Sequence, residues 1–459
     1  MTSAHDYAQT HFETFRKQLY DLIRIPSIST DPEHADDVKR AAIWLAADMR
    51  RIGLQNAEAI PTDGHPIVYG EWLSAGANAP TVLIYGHYDV QPAVITDGWH
   101  SEPFEPVERD GRIYARGISD DKGQAFAHLK AAEALLANGG KSPVNLKFLF
   151  EGEEESGSTH LGPFVSANRD KLKADVCVIS DSGMPTLDQP SIIYALRGLA
   201  TMELEVFGPA TDLHSGSYGG SVHNPAQALA EIIAQLHHPD GSVAVPGFYD
   251  DVRPLDADER IELEKTGWSE SDWRVSTGAP NPWGESGYTL RERVSARPTL
   301  EINGLAGGYF GDGFKTVLPA KAWAKISCRL VADQDPERIF ACIRDYVAEI
   351  TPATVRSKLH SMGGAKAAFA DIKHSAVQAA IAAYEQGWGK RPIFMREGGS
   401  IPIVVNFQEE LKLPVILMGF GLNDDGAHGP NEHFSIEMFR RGIQTAIYFY
   451  EEIGKRGSQ

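Results

Sequence analysis

The sequence predicts an α/β protein: a mixed, largely parallel sheet sandwiched by helices, with a smaller α+β unit inserted into it. Three observations carry that expectation. Short apolar, β-branched runs alternate with amphipathic stretches of helical period, and several of those runs stop on a histidine or a carboxylate. The texture changes to long alternating strands near residue 193, and the first pattern resumes near 366. Residues 1–192 and 366–459 are therefore expected to form one domain and 193–365 an insertion.

Taken in order, Phe12, Phe15, Leu19, Leu22 and Ile23 recur at helical spacing over 7–23, and Pro26 closes the segment. A second helix over 35–52 aligns Val38, Ala42, Leu45 and Met49, with Gly53 as its stop. Extended runs follow at 67–72 and 81–85. Glycine, proline and charge dominate 98–116, a surface loop leading into a short strand at 112–115. Phe126, Leu129, Ala132, Leu135 and Leu136 make a helix ended by Gly139-Gly140, and strand-length runs stand at 144–150 and 175–179. Within the insertion, one long alternating strand is predicted over 192–207, a helix over 224–236 begun at Asn224-Pro225, a strand over 322–331 and a helix over 336–350. The acidic, Trp-rich stretch 246–283 has no assignable period. Helices at 375–388 and 400–411, a strand at 414–418 and a last helix at 435–453 complete the chain.

Composition narrows the function classes. With 459 residues and 42% hydrophobic content, the chain is neither disordered nor collagen-like. Its 43 basic and 62 acidic residues give a formal charge of −19, which argues against nucleic acid or an anionic membrane as partner and suits a protein that attracts cations. The segment 2–17 lacks an apolar core of signal-peptide length and no run is long enough to span a bilayer, so a cytoplasmic location is expected. Cys177, Cys328 and Cys342 are scattered in apolar surroundings and read as small buried hydrophobes, so any metal must be held by nitrogen and oxygen.

Such donors stand at the ends of the predicted strands. In Thr81-Val-Leu-Ile-Tyr-Gly-His-Tyr-Asp-Val-Gln-Pro-Ala93 the apolar run stops at Gly86 and delivers His87 and Asp89 on one face, where Asp89 would take one ring proton and leave the other nitrogen for a metal. Alone, His-X-Asp is ordinarily a polar loop after a buried strand. Arg116-Gly-Ile-Ser-Asp-Asp-Lys-Gly123 sets Asp120 and Asp121 at a strand-to-helix junction, and two carboxylates are more than a helix cap needs. The cluster Glu151-Gly-Glu-Glu-Glu-Ser-Gly157 follows a buried strand, where α/β sheets place their ligands. Asp181 ends the next strand, and Gly426-Ala-His-Gly-Pro-Asn-Glu432 adds a second imidazole. This donor set suits zinc, or manganese or cobalt. A carboxylate shared by two ions makes a clamp about 3.5–4 Å across that activates a water.

On these motifs, from Thr81 to Phe434, the chain resembles the co-catalytic metallopeptidases that include the carnosine and cytosolic non-specific dipeptidases, carboxypeptidase G, the N-acyl amino acid deacylases and succinyl-diaminopimelate desuccinylase. The resemblance implies two divalent metal ions per subunit. It makes His87, Asp120, Glu155, Asp181 and His428 the ligands, with Asp120 bridging, Asp89 orienting His87, and Glu154 the general base. The Asp120–Asp121 peptide is cis in relatives, and Glu153 is an extra acid of open role. Asp212-Leu-His-Ser-Gly216 resembles the motif whose histidine, here His214, reaches an active site, that of the partner subunit in dimeric relatives. The insertion would then be a lid and dimerisation domain. Arg396-Glu-Gly-Gly-Ser-Ile-Pro402, with Gly399 and Ser400, resembles the loop that binds a substrate carboxylate, and Arg329 matches an arginine used on the same group. Thr316 and His223 are further substrate-binding carry-overs, and Tyr88 and Gln91 favour the dipeptidase branch. The resemblance thus implies a homodimeric hydrolase of dipeptides or short peptides with a free carboxyl terminus. The rivals are an N-acyl amino acid deacylase with the same catalytic residues, and a binding protein on a dead peptidase fold, against which the presence of Glu154 and the full ligand set counts.

Overall fold

The structure, a computed structural model, describes residues 3–137, 141–266, 269–398 and 401–457. Its main strands are β1 (Gln55–Ile60), β2 (Ile67–Trp72), β3 (Thr81–His87), β4 (Asn145–Glu151), β5 (Val176–Ile179), β6 (Ser191–Leu196), β7 (Gly198–Phe207), β8 (Thr299–Gly307), β9 (Lys321–Leu330), β10 (Arg356–Ala365) and β11 (Val415–Leu417). The chain divides into two compact units, Met1–Tyr194 with Ala370–Met395 and Ile403–Gln459, and Ala195–Phe369 with Arg396–Pro402.

In the first unit the strands run in the order β1, β2, β4, β3, β5, β11, β6. β4, β3, β5 and β11 are mutually parallel, while β1 and β2 on one flank and β6 on the other pair antiparallel. Parallel strands need both faces covered, which is why Val82, Leu83, Ile84 and Tyr85 form an unbroken apolar run and are all buried. Lys122–Ala137 covers the sheet and is buried almost all round, against Ala4–Ile23 and the amphipathic Ile436–Arg456. The helix Ala35–Arg51 stops as expected, because Gly53 takes φ +95°, open to glycine and costly for other residues. Parallel strands also share a carboxyl-end edge. His87 at the end of β3, Glu153 to Glu155 after β4 and Asp181 after β5 are thereby delivered to one place.

The inserted unit has a four-stranded antiparallel sheet in the order β8, β9, β7, β10. Its period-two pattern sends Ala200, Met202, Leu204, Val206, Ala324, Ile326 and Cys328 to a core under Pro225–Ala234 and Pro336–Ile350, and leaves the opposite face polar.

The expected single strand over 192–207 is two strands in two sheets. The chain breaks after Leu196, and a Cβ on Gly198 would stand 2.5 Å from Ala365 O and 2.7 Å from Ala367 N, so the crossing admits no side chain. The unassigned acidic stretch holds Ala257–Glu264 and Glu270–Thr277, capped by Asp256 and Ser269. Strands β1, β8 and β10 carry little apolar alternation and had no counterpart among the predicted elements. The expected helix stop Gly139-Gly140 and helix start Ser400 lie outside the described residues.

Candidate metal and catalytic centre

Asp120 is the residue around which the other donors gather. Its Oδ1 lies 3.0 Å from His87 Nε2 and its Oδ2 3.0 Å from His428 Nε2. Asp181 Oδ2 approaches His87 Nε2 to 3.9 Å, and Glu155 Oε2 approaches His428 Nε2 to 3.1 Å. Two donor groups result, His87 with Asp120 and Asp181, and Asp120 with Glu155 and His428. Within each group the donor atoms all lie within 4.8 Å of one another. The candidate ligands expected from the sequence are brought together, and only Asp120 belongs to both groups. His87 is fully buried, whereas the His428 side chain keeps 58% of its surface exposed, so the centre is open on one side.

Three of the donors are held by a partner behind them. His87 Nδ1 faces the Asp89 carbonyl at 3.1 Å and the Asp89 carboxylate at 3.4 Å, which leaves Nε2 for the donor cluster. The main-chain oxygen, not the expected carboxylate, is thus the nearer acceptor. The Asp89 carboxylate is instead taken up by the backbone amides of Glu154 and Glu155, at 3.2 and 3.1 Å. Gln91 Nε2 donates to Glu155 Oε2 at 2.7 Å. A Cβ on Gly86 would meet Asp121 Oδ2 and Ala125 Cβ at 2.7 Å, so the glycine that ends the apolar run makes room for the Asp120-Asp121 turn. The peptide between those two aspartates is cis.

Two acids acquire roles that sequence order did not reveal. Glu432 is fully buried and accepts from the backbone amides of Gly117, Ser119 and Asp120 at 2.9, 2.9 and 3.1 Å, and from Arg116 Nη1 at 2.8 Å. It therefore fixes the turn that carries Asp120. Glu153 accepts from the amides of His65 at 2.8 Å and His160 at 3.1 Å and faces the His160 ring at 2.9 Å. It braces the loop of Glu154 and Glu155 and belongs to neither donor group.

Electrostatics favour a cation here. Although burial opposes it, hydrogen bonding to Asp120 and Asp89 pushes the His87 pKa well above the ordinary imidazole value. Asp120 and Glu155 raise His428 to about 10. Asp120 itself, although buried, is held below the usual carboxylate range by the two imidazoles, while burial and the neighbouring Asp120 raise Asp181. Glu154 is raised by burial and by Glu155, Asp120 and Asp89, with His87 opposing. A field that draws protons onto two histidines also draws a divalent ion, which would replace them.

The remaining candidate residues lie in the inserted unit. His214 is exposed, its Nδ1 accepts from Gly216 N at 2.9 Å, and it pairs with Val317, next to Thr316. Ser215 N donates to Thr316 O at 3.0 Å, so the His214 motif and Thr316 are brought together. His223 Nδ1 lies 2.7 Å from Thr354 Oγ1 and its Nε2 3.5 Å from Glu231. Arg329 lines a cavity on the polar side of the sheet. Gly399 and Ser400 lie outside the described residues.

A family model for "Peptidase family M20/M25/M40" matches residues 83–452. The chain belongs to that family. It is a metallopeptidase, and M20 members bind the divalent ions for which the two donor groups are suited. The chain is 35% identical over 457 residues to the Cys-Gly metallodipeptidase dug1 of Schizosaccharomyces pombe, covering 96% of each chain. It is 30% identical over 468 residues to the human Beta-Ala-His dipeptidase, covering 98% of this chain and 92% of that one. Among solved structures, the M20 family metallo-carboxypeptidase Sso-CP2 from Sulfolobus solfataricus superposes with a TM-score of 0.80 at 31% identity over 96% of this chain and 99% of that chain. Both curated relatives are dipeptidases, and the family fold agrees with the α/β expectation. No helix among the described residues is long and apolar enough to cross a membrane.

Proposed function

We propose that this M20 metallopeptidase hydrolyses dipeptides, or short peptides with a free carboxyl terminus, and that His87, Asp120, Glu155, Asp181 and His428 hold two divalent ions. The observation that carries the reading is the single carboxylate of Asp120 shared between two nitrogen-and-oxygen donor groups, with Glu154 fastened beside them through Asp89. Zinc suits such donors best, with manganese or cobalt as alternatives. When bound, the ions supply acidification of water and charge to stabilise the developing oxyanion. Glu154 takes the proton from the attacking water and passes it to the leaving amine, a task suited to a carboxylate whose proton affinity is raised and whose loop is fixed. His214 donates to the oxyanion at the active site of the partner subunit, and the expected insertion 193–365 serves as lid and dimerisation surface of a homodimer. Arg329, with Gly399 and Ser400, receives the substrate carboxylate, and Thr316 and His223 are further substrate contacts. The three free cysteines suit a cytoplasmic location.

The test is a hydrolysis screen of metal-stripped protein resupplied with zinc, manganese or cobalt, offering dipeptides beside N-acetyl and N-succinyl amino acids. Dipeptides should be cleaved with the highest kcat/KM. Preference for N-acyl amino acids would move the activity to the deacylase branch, and no metal-dependent cleavage would remove the reading altogether.

A further inference from the structure

A cavity of about 380 Å³ in the inserted unit is lined by Arg197, Arg293, Arg297 and Arg329 and by the rings of Tyr249 and Trp283. The sheet explains part of the gathering. Arg329 stands opposite Leu199 on one side and Thr299 on the other, in the register that sends Ala200, Cys328 and Leu300 to the core, so its side chain leaves by the opposite face. Arg197 lies two residues before Leu199 and enters the same cavity. A Cβ on Gly398 would stand 2.7 Å from Arg197 Nη2 and 3.0 Å from Val294 O, so the room for that guanidinium depends on a missing side chain.

The charges in the cavity do not balance. Arg297 is bound twice by Glu285, at 2.8 and 2.6 Å, and lies over the rings of Tyr249 and Tyr288. Arg197, Arg293 and Arg329 have no such partner among the described residues, and Arg197 Nε and Arg293 Nε are buried with no hydrogen bond. Glu301, registered opposite Ser327, lines the cavity but forms no ion pair with these arginines. Burial, and then the charge of Arg329, lower the Arg197 pKa to about 10, and burial raises Glu301 against the pull of Arg197. Like-charged guanidinium groups left unpaired in a recess cost free energy unless an anion joins them, and their forked donors match a carboxylate.

We propose that this cavity binds the carboxylate of a small molecule through Arg197 acting together with Arg329, with Arg293 reinforcing the field and Tyr249 and Trp283 as apolar walls. The carboxylate is that of the peptide substrate or of a separate small acid. The first source rests on the reading of Arg329 given above, and the second does not. Arg197 thus joins Arg329 as a determinant of specificity for a free carboxyl terminus.

The experiment uses metal-loaded Glu154→Gln protein, in which turnover is suppressed, titrated calorimetrically with acetylglycine and with acetylglycinamide, which lacks the carboxylate. The acid should bind about 10- to 100-fold more tightly, the difference expected of charge-assisted hydrogen bonds. Arg197→Ala should reduce that ratio to about two-fold or less, and Arg197→Lys, which keeps the charge, should restore part of it. A ratio unchanged by Arg197→Ala would place the carboxylate elsewhere, for instance on the metals, and overturn the proposal. So would equal binding of acid and amide by the parent protein. Thermal midpoints of the Ala and Lys variants within a few degrees of the parent's separate lost binding from lost fold. In otherwise native enzyme, kcat/KM for a dipeptide over its carboxyl-terminal amide identifies the source. A ratio that falls with Arg197→Ala assigns the carboxylate to the substrate, and a ratio that holds while the binding preference is lost assigns it to a separate acid. The calorimetric arm needs no turnover, so it decides the cavity even if the hydrolysis screen fails.

Discussion

In the first unit three donors of the candidate metal centre have a second contact behind them: Asp120 hangs from the Glu432 cradle, His87 from Asp89, Glu155 from Gln91. In the inserted unit, His214 is exposed and Arg197, Arg293 and Arg329 have no ion pair among the described residues. The contrast fits the role proposed for each set. Ligands of a small ion have to be in place beforehand, because a hard cation tolerates little error in distance and each carboxylate must be turned toward it. Groups that receive a substrate must keep valence free, since a guanidinium already paired inside the protein has nothing to offer a carboxylate.

The comparison can be broken at its strongest point first. Glu154→Gln keeps the volume of the base but cannot accept a proton, so kcat should fall about 10²- to 10⁴-fold with metal content unchanged; near-normal turnover in metal-replete protein would free Glu154 of its role. Next in size is His214→Ala, which on the proposed reading removes an oxyanion donor and should cost about 10²- to 10³-fold. Mixed under exchange with Glu154→Gln chains, it should regain activity if the proposed dimer forms, because a heterodimer would have one site with both its base and its donated histidine. Proven heterodimers that stay inactive would assign His214 to its own subunit, and a strictly monomeric protein would end the idea sooner. Within the first unit, metal analysis after dialysis should show both ions lost from Asp120→Ala, whereas Asp89→Ala should weaken affinity only about 10- to 100-fold. Equal losses would mean that donor and support have been confused.

The last test probes how dry the first unit is. His128 is fully buried, with Nδ1 2.8 Å from Tyr450 Oη and Nε2 2.6 Å from Ser180 Oγ, and burial lowers its pKa to about 3 from the ordinary 6.5. The folded state therefore refuses a proton that the unfolded chain accepts. Stability from this group is complete above pH 6.5 and is lost as pH falls from there toward 3, at up to about 1.4 kcal/mol per pH unit. His128→Gln should flatten the decline of the thermal midpoint over that window. An unchanged slope would mean that His128 titrates normally.

The centre was more legible in the sequence than the framework around it. His87 ends a short buried strand, and Asp181 and the Glu154-Glu155 pair each follow one, so local pattern alone placed them on one sheet edge. The supporting role of Glu432 escaped notice because its partners Gly117, Ser119 and Asp120 lie more than 300 residues away, as the 315-, 313- and 312-residue separations show, and no local pattern reports such a bond. The break at Arg197 was hidden for a related reason. Apolar alternation runs straight through it, and only distant pairing decides that β6 joins one sheet and β7 another. β8 and β10 lie at the edges of a sheet with one polar face, where little burial enforces a readable alternation. The helices at 257–264 and 270–277 did carry a signal. Ser269 followed by Asp272 is a capping box, but the short runs behind the two caps have too little apolar period to confirm it.

Asp89 limits how the centre could be re-engineered. One side chain grips the amides of Glu154 and Glu155 while the same residue's carbonyl sets the ring of His87. Ion size and base position are therefore not separate design variables. Widening the pocket at His87 for a larger cation would drag the Glu154 loop with it, so variants selected for a new metal should drift in turnover along one shared coordinate. A second substitution that re-anchors the loop elsewhere, near Glu153 or Gln91, would be needed before the two properties could be tuned apart.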